Sequence, residues 1–123
     1  MKSPICPSAA LLLALAAPAA WAHAALRESD PPTGSALAAA PKQIRLQFNE
    51  ALEPAFASVR LTGPGGKEVI TEKAVVDKAD GKTLTLMLPL PALAAGAYKA
   101  KWSAMGHDGH RMRGEVGFAV KPQ

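Results

Sequence analysis

Cysteine is almost missing from this chain: the single one, Cys6, sits ahead of an apolar run at residues 9–17. A lipid-anchor cysteine would follow such a run. Met1-Lys2 supplies a positive start, and Ala20-Trp21-Ala22 places small residues where a signal peptidase reads them. This is the three-part layout of a secretory signal, so residues 1–22 are expected to be removed. The run is too short to serve as a spanning anchor. Cleavage takes Cys6 with it and leaves residues 23–123, 101 in number, without thiol, disulfide or thiolate ligand. An oxidising compartment would have permitted disulfides. A metal site in this domain must therefore use nitrogen, oxygen or thioether sulfur.

Other shortages narrow the reading further. No later segment is apolar enough to cross a membrane, which leads us to expect a soluble secreted protein. The formal charge of +4 falls to +3 when Lys2 is removed, and the basic residues are spread along the chain without interleaved aromatics. Such an excess reads as solvated strand edges and loops and excludes a nucleic-acid partner. There is no internal repeat and no linker, so 23–123 is expected to be one domain.

What the chain does have is a period of two. Ile44, Leu46 and Phe48 alternate with Arg45 and Gln47, and Val59 and Leu61 flank Arg60. Leu84, Leu86 and Leu88, then Tyr98, Ala100 and Trp102, then Val116, Phe118 and Val120 repeat the pattern. Alternation of this kind marks strands with one buried face. Turn signals at Asp30-Pro31-Pro32, Gly63-Pro64-Gly65-Gly66, Asp80-Gly81 and Gly96 separate them. The spacing predicts an all-β, immunoglobulin-like antiparallel sandwich of about seven strands. A small open barrel fits less well, since nothing indicates closure. Residues 36–40 and 92–95 are alanine-rich and could each form a helical turn, too short to define the architecture.

Histidine is scarce too, and its placement is informative. Of three histidines, His23 directly follows the expected cut, and the other two lie within Met105-Gly106-His107-Asp108-Gly109-His110. An N-terminal histidine can bind one metal through both its α-amine and its ring Nδ1. The amine titrates near pH ~8 and the ring near ~6.5, so a metal can displace both protons near neutrality. A distant imidazole and a carboxylate would complete three nitrogens and one oxygen. Tetragonal nitrogen and oxygen ligation favours copper(II). Asp108 and His110 are spaced i, i+2, which in extended backbone puts both on one face. Each feature alone has an ordinary explanation: an incidental terminal histidine, and a turn. From the residues alone the metal site and those explanations stand level. His107 would face away from Asp108 and is read as peripheral or solvent-exposed. Met105 and Met112 could serve copper(I), although isolated methionines more often pack against a core. Trp102 is expected inside the sandwich.

With these residues in place, the chain resembles the periplasmic copper-resistance CopC family. The likeness starts at His23, runs through Ser29-Asp30-Pro31-Pro32-Thr33-Gly34-Ser35 and Ile44-Arg45-Leu46-Gln47-Phe48-Asn49-Glu50, and continues through Gly96-Ala97-Tyr98-Lys99-Ala100-Lys101-Trp102 to Asp108-Gly109-His110. The resemblance implies a Greek-key β-sandwich with one copper(II) ion held by His23, Asp108 and His110. It implies a carboxylate at Glu50 beside the site, orienting a ligand or standing on the surface. It further implies cooperation with a CopD-type inner-membrane copper protein. Some members carry a methionine-rich copper(I) loop in mid-chain; here residues 61–74 contain neither methionine nor histidine. The expected function is therefore a periplasmic copper(II) carrier or sequestering protein, not an enzyme. The alternatives are a histidine-brace copper oxygenase, against which the extra ligand Asp108 argues, and a metal-free immunoglobulin-like interaction domain. A cut after Ala24 instead of Ala22 would delete the site.

Overall fold

The structure, a computed structural model, describes residues 25–123. The expected signal segment 1–22 and His23 lie outside the described residues. Nine strands form: β1 (Leu26–Asp30), β2 (Ser35–Leu37), β3 (Gln43–Phe48), β4 (Ser58–Thr62), β5 (Glu68–Val69), β6 (Val75–Val76), β7 (Thr83–Met87), β8 (Gly96–Met105) and β9 (Arg111–Val120). They make two sheets, ordered β1-β3-β7-β6 and β2-β9-β8-β4-β5. The chain switches repeatedly between the sheets, the Greek-key habit of sandwiches. The expected all-β sandwich is thus present, and the count exceeds seven because β5 and β6 are two-residue edge strands.

The alternation sets which face each strand buries. In β3, Ile44, Leu46 and Phe48 are buried while Gln43, Arg45 and Gln47 are exposed. Val59 and Leu61 from β4, Leu84 and Leu86 from β7, and Val116, Phe118 and Val120 from β9 meet them in the core. Full burial of one such side chain contributes about 1.5–3 kcal/mol. Trp102 is in this core as anticipated, edge-on to Phe48 with ring centroids 5.1 Å apart. Tyr98 stacks on Phe118 at 5.5 Å and donates its hydroxyl hydrogen bond to the Ala94 carbonyl at 2.7 Å. That contact places the phenol's polar tip on the connection before β8, satisfying a group that would otherwise be buried unpaired.

Two expectations need correction. Neither alanine-rich segment is helical. Ala36 lies inside β2, which runs parallel to β9 with Ser35 opposite Phe118 and Leu37 opposite Val120. Residues 92–95 are irregular chain, tied down by Tyr98. The helix propensity of alanine is a weak preference, and a three- to five-residue run cannot offset the cost of nucleating a turn. The two short 3-10 turns instead occur where proline presets the backbone, at Pro54–Phe56 and Pro64–Gly66.

The turn between β6 and β7 carries a carboxylate with a definite role. Asp80 accepts hydrogen bonds from the Lys82 and Thr83 amides at 2.8 and 3.1 Å, and its other oxygen accepts from the buried Thr83 hydroxyl at 2.8 Å. The Lys82 amide, then the Thr83 hydroxyl, hold its pKa below the ordinary carboxylate value. A depressed folded-state pKa stabilises the fold above the unfolded pKa of about 4, and that contribution is lost as pH falls through the folded value. Asp80→Ala is therefore expected to lower Tm at pH 7, with the gap from the unmodified protein narrowing below about pH 4. Thermal unfolding followed by circular dichroism across that range checks it; a gap that stays constant would remove the charge from the explanation.

Candidate metal centre

The β8–β9 hairpin closes through residues 106–110, which hold both nearby histidines. The Gly109 amide donates to the Gly106 carbonyl at 3.0 Å and the Gly106 amide donates to the His110 carbonyl at 3.2 Å. Gly109 takes φ +85°, the left-handed region that glycine enters without steric cost. Inside this turn Asp108 holds His110 twice. Its Oδ1 accepts from the His110 amide at 3.0 Å, and its Oδ2 lies 3.1 Å from His110 Nδ1. The i, i+2 spacing predicts this pairing, but by another route: the backbone is a tight turn here, not extended. An aspartate accepting from the amide two residues on is a local device that favours such turns.

The separation suits a shared ion. Two ligands each about 2.0–2.1 Å from one metal at a right angle lie about 2.9 Å apart. The carboxylate and imidazole are already near that spacing. The Asp108 and His110 side chains are 33% and 63% exposed, so an ion can reach them.

A second wall comes from the chain after β3. The Glu53 amide donates to the Met105 carbonyl at 2.8 Å, the His107 amide donates to the Ala51 carbonyl at 3.3 Å, and Leu52 forms an isolated bridge with Gly106. These bonds press residues 50–53 against the hairpin turn. Glu50 Oε1 occupies the space where a side chain on Gly106 would stand, and Asp108 Oδ1 is 3.0 Å from the same point. Gly106 is thus a close-approach position that lets two carboxylates border one spot. Glu50, which the resemblance implies beside the site, lies against Gly106 with Asp108 nearby.

The third wall is the start of the described chain. The Ala25 amide donates to Asn49 Oδ1 at 2.7 Å, and the Asn49 amide donates to the Ala25 carbonyl at 3.0 Å. This pair of hydrogen bonds ties residue 25 to Asn49, the neighbour of Glu50 in the chain. His23, two residues earlier, lies outside the described residues; two residues of extended chain span at most about 7 Å. The first strand does not lie alongside the last, since β1 and β9 belong to different sheets. The connection between β3 and β4 links them instead.

His107 points elsewhere, as its spacing suggests. Its Nε2 is 3.7 Å from Glu53 Oε1 and its side chain is 62% exposed. Met112 packs against the core and Met105 is half-buried at the end of β8. Among the described residues no three or more His, Cys, Asp or Glu side chains are grouped to hold an ion. Sequence reasoning misses the Asn49 clamp, and it reads Gly106 as a residue that lets the loop bend, not as the close-approach position it is; the one signal available is that each flanks a residue already suspected, Glu50 and His107. A larger groove of about 750 Å3, between the Gly63–Gly66 turn and the outer side of β8 and β9, contains no carboxylate or imidazole and is not a rival metal site.

Comparisons with known proteins place the chain in a family. Residues 26–121 match the family model described as the CopC domain. Copper resistance protein C of Pseudomonas syringae pv. tomato is 38% identical over 107 residues, covering 83% of each chain. Copper transport protein CutJ of Bacillus subtilis is 32% identical over 100 residues, 81% of this chain but 18% of that protein. The crystal structure of CopC from Methylosinus trichosporium OB3b superposes with a TM-score of 0.75 at 34% identity, covering 82% of this chain and 96% of that one.

Proposed function

Because the chain belongs to the CopC family and its function is copper-related, in resistance or transport, we propose that it is a periplasmic carrier of one copper(II) ion. The ion is cargo, bound by the amine and imidazole of His23 with Asp108 and His110. Glu50 acts beside them, its carboxylate oriented toward the ligands. The observation that carries this reading is the 3.1 Å approach of Asp108 to His110 beside a chain start clamped by Asn49. The described residues supply a carboxylate and an imidazole, and an N-terminal histidine would add the two nitrogens that a tetragonal copper(II) site requires.

The oxidation state follows from the donors. Nitrogen and carboxylate oxygen suit copper(II), whereas copper(I) prefers thioether and thiolate. Residues 61–74 offer no sulfur, and Met112 is committed to the core. No turnover is required of such a site, and Asp108 takes a position that an oxygenase would leave open. CutJ supports a role in copper transport: a region like this chain makes up 18% of that copper transport protein. A separate chain would meet a CopD-type inner-membrane protein as a partner, working as a monomer.

Calorimetric titration with copper(II) of protein beginning at His23 tests the reading. One ion per chain is expected, with an electron paramagnetic resonance spectrum showing three nitrogen couplings. Substoichiometric uptake, or a spectrum with a single nitrogen, would sink it.

A further inference from the structure

The basic residues are scattered in sequence, but the fold gathers them. In β8 and β9 the side chains of Tyr98, Ala100, Trp102, Val116 and Phe118 point inward. By alternation Lys99, Lys101, Arg111, Arg113 and Glu115 point outward from the five-stranded sheet. The register lines them up: Arg60 stands opposite Lys101, Lys101 opposite Glu115, and Ser103 opposite Arg113. Arg111, opposite Met105, continues the row to the metal-binding turn. This face carries Arg60, Lys99, Lys101, Arg111 and Arg113 against the two carboxylates Glu68 and Glu115. Those carboxylates sit 3.7 Å from Arg60 and 3.9 Å from Lys101 and offset two of the five positive charges, so the face keeps a net positive excess. Placing Arg60 and Lys101 directly across from each other weakens a sheet, so sheet stability does not explain the arrangement.

The opposite face differs. On the outer side of the four-stranded sheet, Arg45 faces Asp30 across the strands, with Glu28 nearby among Gln47 and Thr83. With the exposed Arg27 of β1 counted, that side is close to neutral, so the molecule is polarised across its thickness, one broad face positive and the other balanced. Such a charge distribution orients a protein toward an anionic surface.

The texture of the basic face selects among anionic partners. Specific protein interfaces are anchored by large apolar or aromatic side chains. Among the described residues the exposed large hydrophobics are Phe56, Ile70, Val75, Met87 and Leu90; none lies within the five strands of this sheet, Ile70 follows β5 at its edge, and Phe56 is capped by the Arg111 guanidinium 5.7 Å from its ring centroid. Beside Lys99 and Lys101 the face is floored by Ala97, Gly117 and Ala119, leaving a broad shallow groove instead of an anchor. Diffuse positive charge on a flat, unanchored face matches a diffuse negative sheet.

We propose that the outer face of the five-stranded sheet, through Arg60, Lys99, Lys101, Arg111 and Arg113, adsorbs reversibly to an anionic phospholipid surface. Each basic side chain near such a surface contributes about fivefold to partitioning. With two opposing carboxylates the association is weak, and a carrier held this way can leave again. Arg111 lies next to His110, so adsorption through this row keeps the metal-binding turn at the rim of the contact.

The test uses the chain from His23 onward, which contains both sheets and the whole described core, with vesicles of equal parts phosphatidylglycerol and phosphatidylcholine. Co-sedimentation is expected at about 0.05 M salt and is lost at about 0.5 M. The double variant Lys99→Glu, Lys101→Glu should partition at least about tenfold less. The control pair Lys42→Glu, Lys78→Glu, with the same change in net charge away from this face, should stay within about threefold. Circular dichroism verifies that both are folded, and the salt dependence of the unmodified protein stands if one is not. Equal binding to pure phosphatidylcholine, or equal loss in both double variants, overturns the proposal. Retention on poly-glutamate without vesicle binding would assign the face to an acidic protein and overturn it too.

Discussion

A single glycine inserted before His23 is expected to weaken copper(II) binding at least about 100-fold, although no side chain of the sandwich changes. The insertion converts the histidine's α-amine into an amide. An amine with pKa near 8 gives up its proton readily to a metal; a peptide nitrogen does so only to a copper(II) ion already anchored by neighbouring donors, and then in a different chelate that does not use Asp108 and His110 in the same geometry. The inserted residue's new amine stands one residue further out and cannot close the same small chelate ring with the His23 imidazole. The Ala25–Asn49 bonds leave the chain start no freedom to slide back by a residue. Competition against a coloured copper(II) chelator measures the loss. Equal affinity for the extended and native chains would show that the amine is not a ligand.

Substitutions at Asp108 separate two roles that one carboxylate carries. Asp108→Ala removes a proposed ligand and also the acceptor for the His110 amide at 3.0 Å. The turn then loses its internal lock, and His110 its orientation. A loss of about 100-fold or more is expected, comparable with His110→Ala. Asp108→Asn keeps an oxygen for the amide but lacks the charge that favours a cation. Its affinity should fall between that of the alanine variant and the native chain, with the copper spectrum shifted. If Asp108→Asn titrates like the native protein, the residue acts only through the turn and the fourth ligand lies elsewhere.

The long strands are legible in the sequence, because β3, β7, β8 and β9 bury one face and write a period of two into the chain. β2 is not. Three residues in an alanine-rich stretch carry no period, and only the arrival of β9 alongside turns them into a parallel edge strand. β5 and β6 are too short to register at all. The site divides the same way. Asp108 and His110 are two residues apart, and so their meeting can be anticipated, even though a tight turn joins them where the spacing argument assumes extended chain. Glu50 beside Gly106 and Ala25 clamped to Asn49 join residues 56 and 24 positions apart. No local pattern encodes such contacts; the packing of residues 50–53 against the hairpin creates them.

The clamp at Asn49 has a mechanical consequence for a fold whose described residues contain no cysteine. The start of β1 belongs to one sheet and the β8–β9 turn to the other. An ion bound by His23, Asp108 and His110 would rivet the two layers together at one end of the sandwich. Unzipping β1 from β3 would then require releasing the metal first. Loaded protein would resist unfolding and proteolysis in proportion to how tightly it holds copper, while the empty form would open at its first strand. The cargo would thus set the lifetime of its own carrier.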